Sequence, residues 1–220
     1  MQMTNVGSLK DVVLTLDYKV LLGIAATLLG ISGYLPYFRD MLGRRIKPHA
    51  FSWLIWAILT LIAFTVSITK GGSAGSWVLG VQGALNLIIA AAAMRSGEMR
   101  ITSLDKLCLI LAFFGIALWA ITMNSLWGVL ISSVVDLIAL IPTLTKAYRN
   151  PFEESTSLFI LSGLGFVLSI FALGSISILT TLYPSVIIAA NALLVSVILI
   201  RRSILGQRLV GKKMGKKPRR

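Results

Sequence analysis

A chain of 220 residues that is 56% hydrophobic and only 13% charged, with a mean hydropathy of +0.87, falls outside the disordered and ordinary soluble classes and reads as an integral membrane protein. Its net charge of +13 would suit a nucleic-acid binder, but seven of its positive charges lie in the tail beyond Ser203, at Arg208, Lys212, Lys213, Lys216, Lys217, Arg219 and Arg220. With no RNA- or DNA-binding motif beside it, that cluster is expected to face anionic lipid headgroups, and nucleic acid is not an expected partner.

Residues 1–17 lack the basic-then-apolar order of a signal peptide and read as a short polar arm. Seven apolar spans of membrane-crossing length follow, at roughly 18–39, 50–69, 76–95, 104–123, 126–148, 156–173 and 179–201. Gly43-Arg44-Arg45-Ile46-Lys47-Pro48, Lys70-Gly71-Gly72-Ser73 and Arg149-Asn150-Pro151 punctuate them. The tightest break is Met123-Asn124-Ser125, where a six-span reading would merge or bury a segment. If the spans alternate, eighteen Lys and Arg residues fall on one side, against Lys10, Lys19 and Lys70 on the other. By the positive-inside rule the N-terminus is then outside and the basic tail, residues 203–220, cytoplasmic. Cys108 is alone in an apolar run and the single His49 sits in a basic loop, so neither a disulfide framework nor a metal site is expected.

An internal repeat organises these spans. A shift of 105 positions lays Ser52, Ile55, Leu59, Val81, Ala84 and Asn86 on Ser157, Ile160, Leu164, Val186, Ala189 and Asn191, and one more residue lays Pro36 on Pro142. The proline and asparagine pairs carry the case, because apolar identities are cheap in so biased a composition. Both prolines precede basic loops, so the copies are parallel, and a fourth helix must return the chain between them. The expected fold is therefore all-α, with seven transmembrane helices. Two parallel three-helix bundles, 18–95 and 126–202, are joined by a linker helix at 104–123.

The order Tyr34-Leu35-Pro36-Tyr37-Phe38, basic loop, Pro48-His49-Ala50-Phe51-Ser52-Trp53, echoed by Leu140-Ile141-Pro142, resembles the PQ-loop repeat proteins, the superfamily of the SWEET sugar transporters and the half-size SemiSWEETs. The resemblance covers roughly residues 18–202 and implies triple-helix bundles with a linker helix between them. The glutamine after the signature proline is replaced by Tyr37 and Thr143, and Pro48 and Pro151 precede the second and sixth helices instead of lying inside them. The chain thus resembles a divergent prokaryotic branch, with the bacterial inner membrane as its expected location.

Asn86 and Asn191, near the middle of the third and seventh spans, each donate and accept hydrogen bonds, which suits a hydroxyl-rich or zwitterionic solute. The resemblance implies the same, since an asparagine pair on the corresponding SWEET helices is part of the substrate site. Gln82 stands one turn from Asn86, and Trp56 could stack on a sugar ring. The remaining tryptophans, Trp53 included, fall near span ends as an aromatic belt would. On the fifth span Ser132, Ser133 and Asp136 share a face. An aspartate at a helix centre in lipid costs roughly 2.5–3.5 kcal/mol, so Asp136 is a functional candidate by default. It is expected to couple solute movement to a proton, because no basic residue shares its depth. Pro36 and Pro142 interrupt their helices at equivalent points and are candidate hinges. Gly23, Ala26, Gly30 and Gly33 form a small-residue stripe that close helix packing explains.

No metal spacing, nucleotide loop or nucleophilic triad appears, so no cofactor and no enzyme activity is expected. The expected function is a facilitator or secondary transporter of a small polar solute, sugar-like or amino-acid-like. The alternative is a membrane receptor or adaptor of the same fold, with the basic tail as its handle. The oligomeric state is left open, a homo-oligomer included.

Overall fold

The computed structural model describes residues 18–46, 48, 50–96 and 102–214, and omits the side chains of Ser96, Glu153 and 207–214. The polar arm at 1–17, Lys47, His49 and the last residues of the basic tail, 215–220, lie outside the described residues. The rest is helical: α1 (Tyr18–Leu42), α2 (Ala50–Thr69), α3 (Trp77–Ser96), α4 (Ser103–Thr122), α5 (Ser125–Arg149), α6 (Thr156–Phe171) and α7 (Ile178–Met214). One-turn 3-10 segments precede α3 (Ser73–Ser76) and α6 (Pro151–Glu153). Six of the seven helices are long and apolar enough to cross a membrane, and α6, at 16 residues, is shorter. An integral membrane protein is the architecture this composition demands, because lipid offers a backbone no partner but itself.

The helix ends are set by local chemistry. Met123 adopts a left-handed conformation (φ 53) that stops α4, and the Asn124 side chain accepts from Leu126 N at 3.0 Å to start α5. Helices α4 and α5 are therefore separate, and the merged alternative for this break does not occur. At the start of α4, Thr102 and Asp105 form a reciprocal capping box. The last helix departs from expectation in running on to Met214, so most of the stretch read as a tail continues α7.

Packing closes six helices into a ring. α1 lies along α6 and on α3, α3 on α2, α2 on α5, α5 on α7, and α7 back on α6. α4 stays outside the ring, against α5 and α2. The α1–α6 crossing is a close approach, for a stereochemical reason. A Cβ on Gly165 would meet the Ala26 carbonyl oxygen at 2.9 Å, and one on Gly33 would meet the Leu158 carbonyl oxygen at 3.2 Å. Small residues let two backbones touch where the membrane supplies no hydrophobic drive for association.

The two ends of the ring are closed differently. At the end carrying Lys70, the α2–α3 and α6–α7 connections are joined backbone to backbone: Gly75 N donates to Ala172 O (3.2 Å) and Ser175 N to Gly71 O (2.8 Å). At the opposite, basic end, Arg202 donates from Nε to Pro151 O (3.0 Å) and from Nη2 to Glu154 O (2.8 Å), while Glu154 pairs with Lys146 at 2.8 Å. Arg201 donates to Tyr148 O at 2.9 Å and stacks on the Tyr148 ring, satisfying a carbonyl in the last turn of α5. These two arginines thus hold the α5–α6 connection as well as adding basic charge. An Arg202→Ala variant is expected to lose about 1–2 kcal/mol, the worth of charge-assisted bonds at a part-exposed site. Hydrogen exchange should report it as faster exchange at 152–155 with α1 unchanged.

Candidate functional site

The ring encloses a cavity of about 70 Å³, lined from all six of its helices, with Tyr34 the contribution of α1. Its residues run from the middle of the bundle toward the basic end. α2 contributes Trp53, Trp56 and Thr60; α3 contributes Gln82 and Asn86; α5 contributes Asp136 and Leu140. α6 adds Leu158, Phe159 and Ser162, and α7 adds Ile187, Ala190 and Asn191.

One hydrogen-bonded chain crosses the cavity wall. Asn191 Nδ2 donates to Ser162 Oγ (3.3 Å), and Ser162 donates to Gln82 Oε1 (3.2 Å). Tyr34 has a single proton; it goes to Asn86 Oδ1 at 2.7 Å, with Gln82 Oε1 farther away at 3.5 Å. Because Ser162 accepts from Asn191, its own proton is free for Gln82, which orients the Gln82 amide. Gln82 Nε2 is left buried without a hydrogen-bond partner, against α1 at Gly30, where an added Cβ would lie 2.7 Å from it. Glycine at 30 therefore makes room for the amide.

A second chain holds the acid. Thr60 Oγ1 and Tyr183 Oη are 3.3 Å apart, and Tyr183 donates to Asp136 Oδ1 at 3.3 Å. Tyr183 is fully buried one turn into α7, beside Pro184, whose missing N–H leaves the Thr180 carbonyl without its usual helical donor. In the cavity wall, Trp53 donates from Nε1 to Tyr37 Oη (3.1 Å) and packs edge-on against Trp56, with ring centroids 5.4 Å apart.

The structure brings Asn86, Asn191, Gln82, Trp56 and Asp136 to one cavity. It does not bring Ser132 and Ser133 there. Both are buried on the turn before Asp136 but lie outside the lining: Ser133 donates back to Val129 O (2.8 Å), and Ser132 Oγ has no partner. Shared helical spacing placed the three together, but a buried face of α5 is wider than the strip that reaches the cavity. Pro36 and Pro142 stand inside α1 and α5, also off the lining, whereas Tyr34 and Leu140, two residues before each, line it. Trp53 corrects the belt assignment. It is 5% exposed and belongs to an aromatic cluster with Tyr34 and Tyr37.

Tyr34, Thr60, Ser162 and Tyr183 are site residues that the sequence reading missed. Tyr34 had a signal, its place beside the Pro36 motif; Tyr183 had one too, a hydroxyl-bearing aromatic preceding a third intrahelical proline. Ser162 and Thr60 had none, because one hydroxyl in an apolar span usually bonds its own helix. Among the described residues no group of three or more His, Cys, Asp or Glu side chains could hold a metal ion. Comparison with family models, with curated proteins and with solved structures gives no match for this chain.

Proposed function

We propose that this protein is a membrane transporter or facilitator for a small polar solute, working by alternating access between two parallel three-helix bundles with α4 as the linker. The observation that carries this reading is the cavity at the junction of the two helix trios, with Asn86 and Asn191 at repeat-equivalent positions in its wall. The pairing of helices supports it as well. α3 packs on both α1 and α2, and α7 on both α5 and α6; α1 meets α6 as α5 meets α2. Exchange of the two trios leaves that contact scheme unchanged, as a parallel repeat requires. Two of the three helix pairs also start at matched points, Tyr18 with Ser125 and Ala50 with Thr156.

The two ends support a transport cycle. The Lys70 end is tied shut by backbone hydrogen bonds, while the cavity occupies the half toward the basic end. With the basic end cytoplasmic, in a bacterial inner membrane and with the N-terminus outside, this is an inward-oriented arrangement. The PQ-loop resemblance agrees with it, and Pro36 and Pro142 are the proposed hinges. Asp136 is the proposed site of charge or proton coupling.

The test is uptake by purified protein in liposomes, screened over sugars, amino acids, amines and vitamins after a thermal-shift survey for ligands. Protein lacking residues 203–220 is expected to transport as well as the full chain. Absence of uptake, together with loss of a copurifying partner on removal of that tail, would replace transport with a receptor or adaptor role.

A further inference from the structure

We infer that the solute of this cavity is a small organic monocation: an ammonium group set against Asp136, joined to a hydroxyl or carbonyl that meets the Asn86 and Asn191 carboxamides. The inference deepens the transport reading and rests on it for the solute's passage, though not for its binding.

Charge comes first. Among the described residues, Asp136 carries the only carboxyl group in the lining, and no Lys, Arg or His side chain lines the cavity with it. Among the described residues its hydrogen-bond partner is the Tyr183 hydroxyl, which Thr60 meets in turn. One O–H donor satisfies one of the several acceptor positions of a carboxylate, so the site holds unspent negative character. A buried carboxylate without a cation is costly, and a cationic solute supplies the missing partner. An anionic solute would meet only repulsion, and a zwitterion would find no base for its own carboxylate.

The walls agree with the charge. Trp53 and Trp56, set edge to face, line the cavity, and indole is the best ring for an ammonium, protonated or quaternary. Asn86 and Asn191 line the same cavity, and each carboxamide can donate and accept, so a hydroxyl or carbonyl on the solute has partners there. An acid beside carboxamides suits an amino alcohol or an amino carbonyl compound.

The experiment compares choline and ethanolamine with their neutral carbon isosteres, in which carbon replaces nitrogen and the hydroxyl stays. Binding to the detergent-solubilised full chain is read by calorimetry, with glucose as a neutral polyol. At least one cation should bind roughly ten-fold or more tightly than its isostere. Asp136→Asn, which keeps shape and removes charge, should erase that preference in protein that still elutes as a folded species. Equal affinity within each pair, tighter binding of glucose, no binding by either cation, or a cation preference that survives Asp136→Asn would overturn the inference. The first three outcomes need only the wild-type protein, so a poorly folding variant does not shield the idea. Liposome flux separates the two levels. Cation-selective binding without flux removes transport and leaves this site, whereas flux of neutral solutes without cation preference does the reverse.

Discussion

Alanine at both Asn86 and Asn191 is expected to lower solute uptake in liposomes by about 100-fold. Each carboxamide that contacts a bound solute contributes on the order of 1.4 kcal/mol, a factor of ten, and the two act from opposite helix trios. The structural consequences of the two changes differ. Asn86 accepts from Tyr34 at 2.7 Å, so Asn86→Ala leaves a hydroxyl on a residue only 4% exposed with just the long 3.5 Å contact to Gln82 Oε1. That loss should cost roughly 1 kcal/mol of stability, and adding Tyr34→Phe should restore most of it, because removing both partners is far cheaper than removing one. Asn191 donates a longer, part-buried bond of 3.3 Å to Ser162, and its loss should barely move the melting temperature. Affinity and stability can therefore be separated. Uptake within two-fold of wild type in the double variant would remove the asparagines from the site.

Gly75→Ala should be strongly destabilising for a single added methyl. A Cβ there would lie 2.5 Å from the Ser169 carbonyl oxygen and 2.7 Å from Leu173 N, and both obstacles are backbone that cannot swing aside. Relief requires the start of the 3-10 turn before α3 to move off the end of α6, which breaks the Gly75 N to Ala172 O bond. Overpacking of this kind costs about 3 kcal/mol. For a chain of this length that corresponds to an apparent melting temperature lowered by roughly 6–12 °C. Gly206→Ala is the control, since nothing lies within 4 Å of its added Cβ. Equal melting temperatures for the two variants would mean that the Lys70 end is not tied as described. Under the transport reading, the same substitution should also favour opening at that end, visible as faster thiol labelling of a Ser175→Cys reporter.

Much of the fold is legible in the amino-acid sequence, because a membrane narrows the choices. An apolar run of about twenty residues has to be a helix, since its backbone finds no other partner in hydrocarbon. Six helices accordingly begin and end within three residues of the spans read from the sequence. The exception is α7, which overruns to Met214 because nothing after Arg202 stops a helix. Length alone was weaker for α6. Its 16 residues fall short of a full crossing, and only its place in the ring, between α1 and α7, makes it part of the same layer.

The site divides along a sharper line. Polar residues in hydrocarbon are rare enough to stand out, so Asn86, Asn191, Gln82 and Asp136 were visible as candidates, and the repeat put the two asparagines at one depth. Sequence by itself also determined that α1 carries a small-residue face, because Gly23, Ala26, Gly30 and Gly33 recur at helical spacing. What met that face was decided only by tertiary structure: α6 at Gly33, the Gln82 amide at Gly30. The same holds for Tyr183 with Asp136, Tyr34 with Asn86, and Ser162 with Gln82, pairs separated by 47 to 80 positions along the chain. Periodicity reports which side of a helix is special. Which neighbour satisfies it depends on the rotation of each helix in the ring, and that is set by summed packing across many contacts rather than by any local signal.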